Sequence, residues 1–139
     1  MGLIYTEIQL INIVDSELAK RHIIGIEEIK QITTTALVDT GLIMLAINEE
    51  VQSQLQLPLV EKRTVQTADS KIQQLDVVGP VEIRFKNRKC ITSAFVLPGD
   101  SEVLLGAIPL EEMDVLIHPQ RQELIVNPDH PYMAQLKLK

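Results

Sequence analysis

A short apolar segment that delivers an acid straight into further apolar sequence is a narrow demand on a fold, and this chain makes it once. Ala36-Leu37-Val38 runs into Asp39-Thr40-Gly41, and a second apolar run, Leu42 to Ile47, follows immediately. A carboxylate placed between two such segments is at least partly withdrawn from water, where it is costly unless paired or hydrogen-bonded. The tripeptide by itself is weak evidence, because Asp and Gly also favour ordinary strand-ending turns. Its weight comes from what surrounds it.

The surroundings read as β structure. Leu3 to Val14 is rich in Ile, Leu and Val with polar residues interspersed, which predicts a long strand, and Asp15-Ser16-Glu17 reads as a turn. Ile23 to Ile26 and Glu28 to Val38 give two further β segments. Within the second, Thr33-Thr34-Thr35 disfavours helix because β-branched side chains lose rotamer freedom there. Asn48 is placed to cap a short helix with Glu49 and Glu50 in its first turn, Val51 and Leu55 on one face, and Pro58 marking its end. Thr64 to Leu97 reads as a meander with turns at Asp69-Ser70, Gly79-Pro80 and Lys86-Asn87-Arg88. Val103-Leu104-Leu105 is a short apolar strand. Pro109 suits the first position of a second short helix, with Glu111 and Glu112 in its first turn. Leu116 to His118 and Glu123 to Val126 make a closing hairpin. The expectation is a mostly-β chain with one or two short helices, residues 1–127 forming a single domain and 128–139 a C-terminal tail.

Composition narrows the function classes. The 139 residues suit one domain. Hydrophobic residues make up 45% and aromatics only 3%, so the core has to be built from Ile, Leu and Val. No apolar run reaches the roughly 20 residues of a membrane span, and Glu7, Gln9 and Asn12 interrupt any secretory layout at the start; a cytoplasmic location without membrane association is expected. The net charge of −6 repels phosphate backbones, and the basic cluster from Arg84 to Lys89 is short and reads as a solvated hairpin, so nucleic acid is not expected as a partner. Cys90 is the single cysteine, which excludes an internal disulfide and a Cys-rich zinc site, and it reads as a small half-buried apolar residue. His22, His118 and His130 lack metal-ligand spacing, so neither a metal nor a cofactor is expected. The pairs Glu27-Glu28, Glu49-Glu50 and Glu111-Glu112 are adjacent residues that point in different directions, not acid–base pairs. Neither a Gly-x-Ser-x-Gly elbow nor a phosphate-cradling glycine loop occurs.

What remains is Asp39, and here the chain resembles the retropepsin-like aspartic proteases, the retroviral enzymes and their single-domain bacterial and eukaryotic relatives. The resemblance runs from about Ile4 to Val126 and rests on three elements in order. The first is Ala36-Leu37-Val38-Asp39-Thr40-Gly41, and the second is Val103-Leu104-Leu105-Gly106 with a helix after it. The third is a hairpin between them around Thr67-Ala68-Asp69-Ser70-Lys71, where that family carries its substrate-covering flap. Leu110-Glu111-Glu112-Met113-Asp114 and the closing hairpin are also similar to the bacterial relatives.

The resemblance implies a closed β barrel that forms a symmetric homodimer and hydrolyses peptide bonds. Asp39 would be the catalytic carboxylate, paired with its symmetry mate. Thr40 would bond across the twofold axis, and Gly41 would let the chain turn and present its N–H to the carboxylate. Ala68, Asp69 and Ser70 would cover an extended peptide or protein substrate. Leu104, Leu105 and Gly106 would support the loop from behind. Two departures bear on activity. Leu42 stands where the family usually has Ala or Ser, and Ser70 stands where bacterial relatives often have Gly. Leu42 and the unusually aliphatic composition keep open a second reading, a non-catalytic dimeric β module of the same fold that binds extended peptides or a partner protein.

Overall fold

The computed structural model describes residues 2–138. Nine strands and three α-helices follow in the order β1 (Tyr5–Asn12), α1 (Ile13–Lys20), β2 (Gln31–Val38), β3 (Leu45–Asn48), α2 (Glu49–Leu55), β4 (Leu59–Gln66), β5 (Ile72–Phe85), β6 (Arg88–Leu97), β7 (Val103–Leu105), α3 (Ala107–Met113), β8 (Val115–His118) and β9 (Glu123–Val126). Strands β1, β2, β7, β3, β6 and β5 pair in that order, and β5 returns to pair with β1 through Gln9–Asn12, so six strands close into a barrel. Closure removes the free edges that an open sheet would expose. β4 pairs with β5 alone and stands outside the ring as the outer strand of a hairpin. β8 and β9 form a separate two-stranded sheet.

The barrel is filled by aliphatic side chains, as the scarcity of aromatics requires. Ile8, Leu10, Leu45, Ile47, Leu55, Ile83, Leu105 and Met113 are among its fully buried residues, and Phe85 is the aromatic member of the cluster. Each buried Leu or Ile contributes roughly 1.5–3 kcal/mol relative to exposure. Alternation sets which residues enter. In β1, Ile8 and Leu10 face the core, while in β2 Gln31, Thr33 and Thr35 face water.

Several local expectations are corrected. The first strand stops at Asn12 instead of running to Val14, and Asp15-Ser16-Glu17 lies inside a third helix. The buried Asn12 side chain is the cause: its Oδ1 accepts from Asp15 N–H at 3.1 Å and its Nδ2 donates to Leu55 O at 2.8 Å. Such an N-cap starts a helix where composition alone suggests a turn. No strand forms over Ile23 to Ile26; a 3₁₀ turn at Ile26–Glu28 follows, closed by Glu28 Oε2 accepting from Gly25 N–H at 2.7 Å. Gly79-Pro80 is not a break but an irregularity inside β5, with Pro80 exposed, where its missing N–H costs nothing. Pro109 is the third residue of α3, so Glu111 and Glu112 fall beyond the first turn. Asn48 does cap α2, its Oδ1 accepting from Val51 N–H at 2.8 Å, with Val51 and Leu55 both buried.

Candidate active site

Asp39 is the first residue after β2, and its position is set by a parallel pairing. Ala36, Leu37 and Val38 align with Val103, Leu104 and Leu105 of β7. The ladder then runs one step further, because Asp39 N–H donates to Leu105 O at 2.9 Å. The acid is therefore held by backbone bonding to a buried strand. Its carboxylate turns back on the chain, Oδ1 accepting from Gly41 N–H at 3.0 Å, while Leu42 N–H donates to Asp39 O at 3.2 Å. Asp39 is partly buried, and Thr40 and Gly41 are exposed.

Gly41 is not in the left-handed region; among the described glycines only Gly79 and Gly99 have positive φ. What it provides is proximity. A Cβ at this position would sit 3.3 Å from Asp39 Oδ1, tight enough to displace the carboxylate by a few tenths of an ångström. The Thr40 hydroxyl bonds to no other described residue, and Thr40 borders a shallow, mainly apolar groove formed with Ala107, Leu110, Leu116 and Ile117.

The segment behind the loop is built around Gly106. A Cβ there would lie 2.0 Å from Met44 O and 2.6 Å from Leu42 O, both backbone atoms, so only glycine fits. The close approach lets the start of α3 hold the loop: Ala107 N–H donates to Leu42 O at 2.7 Å and Ile108 N–H to Ile43 O at 3.0 Å. Leu105 is fully buried and Leu104 half-buried. The structure thus brings Asp39–Gly41 and Leu104–Gly106 together, and Leu42 has both backbone groups engaged.

Ala68, Asp69 and Ser70 form the tip of the β4–β5 hairpin. Thr67 N–H donates to Lys71 O and Ser70 N–H to Thr67 O, each at 2.9 Å, and Ser70 adopts φ 65°. This is a three-residue loop whose left-handed position is normally filled by glycine. The Thr67 hydroxyl donates to Asp69 Oδ1 and Lys71 N–H adds a second bond at 3.3 Å; the first bond above all holds the Asp69 carboxyl below its ordinary pKa. Among the described residues no hydrogen bond links this tip to Asp39–Gly41. A large surface concavity also lies elsewhere, between α1 and strands β5 and β6, with Cys90, Glu82 and Glu112 on its walls. Cys90 is buried, and burial, followed by the nearby acids Glu112 and Glu82, pushes its thiol up to about 12, which makes it a poor nucleophile.

One reading of the basic cluster fails. Arg88, expected in a solvated hairpin, is only 2% exposed. Its Nη2 donates to His130 O and lies 4.0 Å from Asp114 Oδ2. Asp114 Oδ1 accepts from Asn127 Nδ2 at 3.0 Å, and Oδ2 accepts from Gln135 N–H at 3.0 Å and contacts His130 Nδ1 at 2.6 Å. These donors, Asn127 first, hold the Asp114 carboxyl down at about 2. Nothing in the local pattern announces this cluster, because its members are separated by up to 47 positions, from Arg88 to Gln135. Among the described residues no group of three or more His, Cys, Asp or Glu could hold a metal ion, and no helix is long and apolar enough to cross a membrane.

A family model described as aspartyl protease matches residues 26–108, more than half of the chain, from the 3₁₀ turn before β2 to the start of α3. No curated protein matches the chain.

Proposed function

Because the chain belongs to the aspartyl protease family, we propose that it is a retropepsin-like endopeptidase that works as a symmetric homodimer, each subunit supplying one Asp39. The observation that carries this reading is the way Asp39 is held: N–H fixed by Leu105 O, carboxylate fixed by Gly41 N–H, at the end of a buried parallel pairing. A group needed for general acid–base chemistry has to be positioned before the substrate arrives. The chain has a single Asp-Thr-Gly and a single barrel, so a pair of carboxylates requires a second copy.

The chemistry follows the general behaviour of aspartic-protease dyads. Two carboxylates about 3 Å apart cannot both ionise, so they share one proton, and the apparent pKa values belong to the pair. The ionised member takes a proton from a water held between them as that water attacks the scissile carbonyl. The protonated member donates a hydrogen bond to the carbonyl oxygen as it becomes an oxyanion. Thr40, whose hydroxyl bonds to no other described residue, bonds across the axis and locks the two loops. The hairpin tip at Ala68, Asp69 and Ser70 closes over an extended peptide and excludes water. This chemistry calls for neither metal nor cofactor.

The test is incubation with a diverse peptide pool from mildly acidic to neutral pH, with Asp39→Asn run beside the parent. Cleavage by the parent and none by Asp39→Asn is the expected outcome. A parent that is dimeric by sizing yet cleaves nothing at any pH sinks the catalytic reading, with Leu42 as the residue to revert to Ala first.

A further inference from the structure

The chain beyond β9 is tied to the barrel by polar contacts that the proposed chemistry does not use. Asn87 Nδ2 donates to Pro131 O at 2.9 Å, Asn127 N–H donates to Asp114 O at 3.1 Å, and the Asp114 carboxylate gathers Asn127, His130 and Gln135. Asp114 is the C-cap of α3, with φ 54° and ψ 56°. The other end of α3 carries the two N–H groups that hold Leu42 O and Ile43 O, directly after Asp39-Thr40-Gly41. A seven-residue helix is only about 10 Å long and moves as a unit. One rigid element therefore takes the C-terminal segment at one end and the Asp39 loop at the other.

We propose that Asp114 is a positioning residue, clamping segment 127–135 over the end of α3 and so fixing the Asp39 loop at the helix start. The proposal rests on the reading of Asp39 as the acting carboxylate, although the mechanical link does not. Buried Arg88 strengthens the clamp. Its Nη2 donates to His130 O and lies 4.0 Å from the Asp114 carboxylate, while its Nε and Nη1 have no hydrogen-bond partner among the described residues. The segment is thereby fastened by the side chains of Asn127 and His130 and by backbone groups of His130, Pro131 and Gln135, while the Tyr132 and Met133 side chains are exposed.

The experiment is hydrogen exchange on the full chain, together with steady-state cleavage kinetics, for Asp114→Asn, His130→Ala and Tyr132→Ala. Asn tolerates the left-handed conformation at 114 but removes the charge. Because Arg88 then loses its counter-charge, Asp114→Asn could fail to fold; His130→Ala, which leaves both Asp114 and Arg88 in place, then decides alone. The expected result is exchange at the Gln135 amide faster by on the order of tenfold, the loss of one charged hydrogen bond. Faster exchange at Ala107, Ile108 and Asp39 accompanies it, with β5 and β6 amides unchanged, and kcat falls by more than KM changes. Tyr132→Ala moves none of these. Release of Gln135 with Ala107, Ile108 and Asp39 unmoved overturns the proposal, and so does an unreleased segment. If the parent cleaves no peptide, the peptidase reading fails and the exchange data still decide the clamp.

Discussion

Gly106 and Gly41 constrain the site by having no side chain, for two different reasons. At Gly106 the obstacle is backbone, with Met44 O and Leu42 O inside the volume of any Cβ, so neither neighbour can rotate away. Gly106→Ala has to push the Leu42–Met44 loop off α3 and break the Ala107 and Ile108 bonds. We expect it to cost about 3 kcal/mol or more in denaturant unfolding; a cost below about 1 kcal/mol would show that the loop relaxes freely. Gln56 is the opposite case. It ends α2 in the left-handed region, at φ 49° and ψ 47°, and its side chain makes no hydrogen bond to any described residue. Gln56→Gly removes that backbone penalty and should raise stability by up to about 1 kcal/mol. The same unfolding measurement reads it, and a loss of stability would mean that the glycine's extra freedom in the unfolded chain outweighs the relief.

At the scale of elements, the hairpin tip and the C-terminal segment are both held by a carboxylate that collects N–H or O–H donors, Asp69 in one and Asp114 in the other. For Asp114 the consequence for pH has a definite sign. Its carboxyl titrates at about 2 in the folded chain against 3.8 ordinarily, so its bonds stabilise the fold above the ordinary value. That contribution is lost as pH falls through the window from about 4 to about 2, where the unfolded state binds the proton first. The expected observation is loosening of residues 127–135 in that window, read by limited acid proteolysis or by the His130 ring signals in NMR. Release already complete near pH 5 would contradict it. The hairpin tip offers a second test. Ser70 sits at φ 65°, so Ser70→Gly should stabilise the β4–β5 turn and slow exchange at the Lys71 amide; faster exchange would show that Ser70 is not strained.

For the whole molecule, the proposed chemistry depends on concentration. A single barrel carries half of the carboxylate pair, so specific activity should fall on dilution in step with the dimer fraction measured by sedimentation over the same range. Activity that persists undiminished in a monomer would overturn the shared site. Close to Asp39-Thr40-Gly41 in the chain, Ile43 is 64% exposed, and Ile108, bonded to it through Ile108 N–H and Ile43 O, is 48% exposed.

The sequence by itself determined what depends on near neighbours. Asn48 with Val51 and Leu55 specified α2, aliphatic and β-branched runs between turn residues marked β1, β2, β5, β6 and β7, and Asp39 between two apolar runs marked the acid, because propensity and capping act over a few residues. The three ordered elements around Asp39, the hairpin and Gly106 made membership of the aspartyl protease family legible as well. Only the tertiary structure decided what depends on partners remote along the chain. Asn12 ends β1 and starts α1 because it reaches Leu55, 43 residues away. The ring closes because β5 returns to β1. Arg88 is buried rather than solvated because His130 and Asp114 fold over it. The resemblance marks Gly106 as support for the loop, and the tertiary structure supplies the reason that glycine is required there, the Leu42–Met44 backbone packed against it. Asp39 is an acid in the sequence; the carbonyl of Leu105 and the absent side chain of Gly106 are what give it a fixed place.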